Sequence, residues 1–161
     1  MTLALKKEPF SFSLLTAAGD CIYRDLPERA FEKDQLGRLS HFSCMDREKD
    51  HFYGFGEKTG ALNKAMQTLR EKATDAMGYD AEKADTLYKH IPFGMRLSRR
   101  TGKAVGLFFH NFYESVFNLG REKSNYWPRY WSFTADGGDV DLFLIGGGSL
   151  KRILDNYTRL T

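Results

Sequence analysis

Two cysteines, Cys21 and Cys44, are too few to staple a chain of 161 residues. Stability must therefore come from a packed interior rather than a disulfide framework, and nothing points to an oxidising compartment. Long apolar runs are missing as well. Stretches such as Leu142–Ile145 fall far short of the ~20 residues a membrane span requires. Lys6, Lys7 and Glu8 interrupt the first apolar residues, so no secretory leader is read and a cytoplasmic location is expected. Neither sign of charge dominates: 24 basic against 21 acidic residues leave +3. The densest basic cluster, Arg96, Arg99, Arg100 and Lys103, reads as a solvated hairpin tip around Thr101-Gly102 rather than a nucleic-acid stripe. His41, His51, His90 and His110 show no HxH or HExxH spacing and the cysteines no CxxC, so neither a metal nor a cofactor is expected. No serine sits in a G-x-S-x-G elbow.

Aromatic residues are what the chain has in quantity: 13 Phe, 8 Tyr and 2 Trp. With 42% hydrophobic residues they supply a real core and favour pleated, half-buried surfaces. Pro9–Leu15 alternates Phe10, Phe12 and Leu14 against Ser11 and Ser13, turns at Ala17–Asp20, and returns through Cys21–Arg24. Phe31–Asp46 reads as a second antiparallel pair turning at Asp34–Gly37. Ile91–Leu97 and Lys103–His110 form a third, and Asn111–Leu119 continues as strand to Gly120. Tyr130–Ala135 and Val140–Ile145 read as a hairpin across Asp136-Gly137-Gly138. Short strands at this spacing, without alternating helices, predict an all-β antiparallel sandwich forming a single domain over 1–161.

Two segments depart from that pattern. Lys58–Lys89 is polar and about 30 residues long, which marks a functional or mobile loop; Leu62–Lys72 within it has helix-forming composition. At the other end Ser149 is an N-cap candidate for a helix carrying Leu150, Ile153, Leu154, Tyr157 and Leu160 on one face. The abrupt end of that amphipathic helix at Thr161 suggests a piece of a longer protein.

No catalytic constellation emerges. Gly146-Gly147-Gly148-Ser149 resembles an anion-cradling turn but lacks the Lys-Ser/Thr of a phosphate loop, so it reads as a connector. Asp139 and Asp141 alternate on what reads as the wet face of a strand. The best candidate site is the polar loop, where Asp75, Tyr79, Asp80, Asp85 and Tyr88 combine carboxylates, which accept hydroxyl hydrogen bonds, with rings that pack on sugar C–H faces. Ordinary turn and cap chemistry for each Asp is the competing account.

Five collinear motifs carry a resemblance: Tyr53-Gly54-Phe55-Gly56-Glu57-Lys58-Thr59-Gly60, Ala73–Asp80, Leu87–Phe93, Gly106–Asn111 and Gly138–Asp141 with the residues after it. Together they resemble glycoside hydrolase family 31, the α-glucosidase and α-xylosidase family, over about Pro9–Thr161. The resemblance implies the family's N-terminal, galactose-mutarotase-like β-sandwich. Further strands precede the Pro9 region in family members, so an incomplete sandwich is expected. It also implies a (β/α)8 barrel of the same polypeptide as partner, an α-glucoside or related oligosaccharide as substrate, and retaining chemistry by two aspartates on that barrel. The family's Trp-x-Asp-Met-Asn-Glu nucleophile motif is absent here, so the chain is expected to be inactive alone.

One residue carries over to the substrate. Asp75 matches the aspartate of the family's Asn-Thr-Asp segment, which contacts sugar from the sandwich loop. Lys72 and Ala73 replace the aromatic and Asn that precede it in the family. Gly54, Gly56 and Gly60 read as tight turns, and Ile91 and Phe93 as core. The rival reading is an autonomous carbohydrate-binding module.

Overall fold

The aromatic strands sort themselves into layers by alternation of their side chains. In the computed structural model, which describes residues 1–161, the chain runs β1 (Thr2–Lys6), β2 (Ser11–Leu15), β3 (Cys21–Arg24), β4 (Phe31–Lys33), β5 (Leu39–Cys44), β6 (Asp50–Gly54), β7 (Thr68–Glu71), β8 (Phe93–Ser98), β9 (Lys103–Phe109), β10 (Ser115–Asn118), β11 (Tyr130–Ala135), β12 (Leu142–Ile145) and α1 (Leu150–Leu160). Three antiparallel sheets result, ordered β1-β2-β3, β4-β5-β11-β10-β7 and β12-β9-β8-β6.

β9 shows how sequence builds the sandwich. Val105, Leu107 and Phe109 join the main core, while Ala104 and Phe108 join a second cluster under α1. A strand buried on both faces reads as a continuous apolar run, as Ala104–Phe109 does. Between the two larger sheets Phe109 stacks on Phe133 at 4.1 Å, and Phe117 meets Phe55 edge-on at 4.9 Å. Ile153 seats α1 on the outer face of the four-stranded sheet, and Tyr157 stacks on Phe93 at 3.8 Å. Ser149 caps the helix by accepting from the Arg152 amide.

The expected fold is therefore correct, with corrections to its wiring. Tyr130–Ala135 and Val140–Ile145 do not form a hairpin: β11 pairs with β5 and β10, while β12 pairs with β9 in the opposite sheet. The Asp136-Gly137-Gly138 turn carries the chain between layers. Asn111–Leu119 likewise does not continue β9. Residues 111–114 cross over, and β10 begins at Ser115 in the other sheet. Leu62–Lys72 forms no helix; Met66 adopts a φ of 66°, and Thr68–Glu71 becomes edge strand β7. β6, for which no strand was expected, pairs with β8. Arg96 is withdrawn from the solvated hairpin tip, its guanidinium 2.6 Å from the buried Asp50 carboxylate.

Candidate functional site

The long segment between β6 and β8 is tied down at its base. Gly54, Phe55 and Gly56 all take positive φ, between 65° and 95°. This left-handed run turns the chain sharply and drives the Phe55 ring into the core against Phe52 and Phe117. A β-carbon at Gly94 would collide with that ring, so the glycine is required by close approach. Lys58, whose side chain is only 1% exposed, lies 3.4 Å from Glu71 and 3.8 Å from Asp85. It also donates to the backbone carbonyls of Arg70 and Asp85. Burial raises the Glu71 carboxyl to about 7, against the pull of Lys58. Thr59 donates to the Ala84 carbonyl, and Lys64 to that of Thr59.

The five side chains singled out in the loop separate by what they do. Asp85 is spent on structure: its Oδ2 accepts from the Arg70 amide at 2.8 Å. Asp80 makes a local turn, accepting from the Glu82 amide at 2.8 Å. Tyr79 and Tyr88 are exposed. Asp75 is exposed too, and its carboxylate enters none of the chain's internal hydrogen bonds or ion pairs. It directly follows Thr74, whose amide and hydroxyl both donate to the Leu87 carbonyl, at 2.8 and 3.2 Å. Asp75 thus begins the free tip of an anchored loop. Lys72, which departs from the family pattern, pairs with Glu114 at 2.5 Å and ties the loop to the β9–β10 crossover.

Beside that crossover lies a cleft that sequence reasoning missed, lined by His110–Tyr113, Gly138, Asp139 and Asp141. Its volume is about 530 Å³. Asp139 and Asp141 precede β12 rather than alternating within it, which corrects the strand placement. His110 Nδ1 stands 3.2 Å from Asp141 Oδ2. The turn glycines were visible in the sequence, but the cleft arises from two crossovers meeting, which no local pattern encodes.

A buried polar group holds the right residue types for hydrolysis and the wrong geometry. Tyr23 Oη lies 2.6 Å from both His41 Nε2 and Ser43 Oγ. Asp25 Oδ1 and Ser43 Oγ approach the same His41 nitrogen, at 3.3 and 3.2 Å, so no relay runs from carboxylate through imidazole to hydroxyl. All four residues are buried, closed to any substrate. Burial raises Asp25 to about 7 and lowers His41 to about 3, leaving both neutral in mildly acidic solution.

Antiparallel sheets packed face to face, with one short helix after the last strand, define a β-sandwich of the galactose-mutarotase-like type. Residues 1–118 match the glycosyl hydrolase 31 N-terminal galactose mutarotase-like domain, and the chain belongs to that family. It is 34% identical over 160 residues to alpha-glucosidase 2 of Bacillus thermoamyloliquefaciens, covering 99% of this chain and 19% of that enzyme. An isomaltosyltransferase of Sporosarcina globispora is 26% identical over 171 aligned residues, covering all of this chain and 15% of its own. Among solved structures, a GH31 dextranase of Flavobacterium johnsoniae complexed with glucose superposes with a TM-score of 0.85 at 28% identity. That match covers 98% of this chain and 18% of the dextranase. The chain thus spans about a fifth or less of the length of these relatives. No helix is long and apolar enough to cross a membrane.

Proposed function

We propose that residues 1–161 form the non-catalytic N-terminal sandwich of a retaining α-glycosidase of the α-glucosidase kind. In this reading the sandwich packs on a (β/α)8 barrel that carries both catalytic aspartates, and the 58–89 loop reaches over the barrel mouth. Asp75 accepts hydrogen bonds from sugar hydroxyls and so improves positioning, without making or breaking bonds. The observation that carries this is the contrast among the loop's carboxylates: Asp80 and Asp85 are consumed by the loop, whereas Asp75 is presented unpaired just beyond its last anchor. The similarity to an alpha-glucosidase and a dextranase favours an α-glucoside as the substrate class.

The test is kinetic, in an enzyme containing this domain together with its barrel. Asp75→Ala lowers kcat/KM for maltose or isomaltose by about tenfold or more, the loss expected for a hydrogen bond to a charged acceptor. Unchanged kinetics removes the assignment. The 161-residue chain alone releases no product from an aryl α-glucoside, and turnover that persists through rigorous purification would overturn its non-catalytic role.

A further inference from the structure

We propose that the cleft beside the β9–β10 crossover is a saccharide subsite, separate from Asp75, that holds one neutral sugar ring of an α-glucan. The substrate class is taken from the reading above; the site itself rests on geometry. Glu71 pairs in register with Ser115 and Lys72 forms an ion pair with Glu114, so the crossover adjoins the base of the Asp75 loop.

The cleft is built rather than incidental. Asn111 is its buried floor, with its amide group fully used: Nδ2 donates to the carbonyls of Gly137 and Asp139, at 2.9 and 3.0 Å, and Oδ1 accepts from the Tyr113 amide at 2.9 Å. These bonds lock the crossover to the 137–139 turn. The Tyr113 ring lies over that turn, where a β-carbon on Gly137 would come within 2.9 Å of it. Above this floor Phe112 and Tyr113 stay 63% and 58% exposed, an apolar surface the chain itself leaves uncovered. His110 meets Phe112 edge-on at 5.2 Å. The volume of about 530 Å³ falls in the range of small-molecule sites.

The polar groups select the ligand. Asp141 engages His110 Nδ1, which leaves Nε2 free to bond a hydroxyl. The second Asp141 oxygen and the Asp139 carboxylate add further acceptors, so the cleft calls for several O–H donors on a ring with C–H faces. Two carboxylates disfavour an anion. The imidazole and carboxylates do not converge as a metal-binding group of three. Only two of seven lining residues are apolar, too few for a lipid-like ligand. His110 gives the Asp141 carboxylate a partner.

The test is saturation-transfer NMR on the 161-residue chain with isomaltotriose, together with amide shift mapping. Saturation is expected on the C–H protons of one ring, with shifts at residues 110–114 and 137–141. Phe112→Ala and Asp141→Asn each weaken binding by about fivefold or more, while Tyr126→Ala, an exposed ring outside the cleft, leaves it unchanged. All three side chains are exposed, and matching thermal midpoints verify that the variants are folded. Absence of saturation, shifts mapping elsewhere, or parental affinity in Phe112→Ala overturns the proposal. Loss of binding in Asp75→Ala alone places the sugar on the loop, which overturns the cleft and leaves the Asp75 reading intact. Cleft binding combined with unchanged kinetics of Asp75→Ala in the complete enzyme supports the cleft and removes only the loop.

Discussion

Lys58 Nζ and Glu71 Oε1 stand 3.4 Å apart with both side chains closed to water, and between them they fix the start of the long loop to the edge strand in its middle. Lys58 also holds the Arg70 and Asp85 carbonyls, so one ammonium group gathers three stretches of a segment that would otherwise be costly to order. Lys58→Met keeps the stem volume and removes the charge. Glu71 then takes up a proton, and the Arg70 and Asp85 carbonyls lose their donor, at a cost of about 1–3 kcal/mol, read as a lower urea midpoint with unchanged m. Amides of residues 70–90 then exchange faster. Parental stability with parental exchange would show that the clamp does not hold the loop.

The buried Asp25–His41 pair predicts a pH dependence that cancels in the parent and appears in the variants. Asp25 titrates at about 7 in the fold against 3.8 normally, so its contribution is complete at low pH and lost as pH rises through 7. His41 titrates at about 3 against 6.5, so its contribution is complete above 6.5 and lost as pH falls. Between about pH 4.5 and 6.5 the fold gains one proton at Asp25 and forgoes one at His41, and the two slopes oppose. The neighbouring Tyr23 does not disturb this, because burial holds its hydroxyl protonated. Relative to the parent, Asp25→Asn gains about 1.4 kcal/mol of stability per pH unit as pH rises through that window, and His41→Gln loses about as much. Denaturation midpoints at pH 4.5, 5.5 and 6.5 check both signs. Parallel profiles for parent and variants would refute the cancellation.

Helix α1 gives a simpler test of packing. Ile153 is fully buried against the four-stranded sheet, and its Cγ2 lies where a β-carbon on Gly106 would stand, 2.6 Å away. Ile153→Ala opens a cavity worth about 2–4 kcal/mol, and Gly106→Val overfills the same seat by about 1–3 kcal/mol. Both lower the thermal midpoint. A neutral result for either would mean that the helix is not held by this contact.

How far the sequence could be read follows from what kind of signal each element left. Strand pairs closed by a local turn were legible: Cys21–Arg24 returns on Ser11–Leu15 and Lys103–Phe109 on Phe93–Ser98, because turn residues and alternation sit side by side. So was α1, from the Ser149 cap and the helical spacing of Ile153 and Tyr157. What failed was partner choice across distance. Gly137 and Gly138 announce a reversal, but only burial of Trp131 and Phe133 in one layer and Ile145 in another decides that the chain changes sheets there. Leu62 to Lys72 has helical composition, yet Leu69 and Glu71 point inward at period two, and edge pairing with β10 overrides propensity. Asp75 was singled out by its motif, and it lies exposed in the loop. Lys58 lay in the neighbouring motif and went unread, because its value depends on Glu71 and Asp85 arriving from elsewhere in the loop. The residues of the His110–Asp141 cleft stood in two separate motifs, and only the meeting of two crossovers brings them together.

The three loop carboxylates offer a way to separate presentation from support. Asp85 holds the Arg70 amide and faces Lys58, so Asp85→Ala removes a structural acceptor and costs about 1–3 kcal/mol. Asp80 closes an exposed turn through the Glu82 amide, and Asp80→Ala costs about 1 kcal/mol or less. Asp75 supports nothing within the chain, so Asp75→Ala stays within about 0.5 kcal/mol of the parent. Urea titrations of the three variants should therefore rank Asp85 above Asp80 above Asp75, while the effect on kcat/KM in the complete enzyme is greatest at Asp75. A residue that is neutral for folding and costly for turnover is one whose partner is the substrate. If Asp75→Ala destabilised the domain as much as Asp85→Ala, its carboxylate would be supporting the loop, and its effect on kinetics would follow from misplacement of the tip.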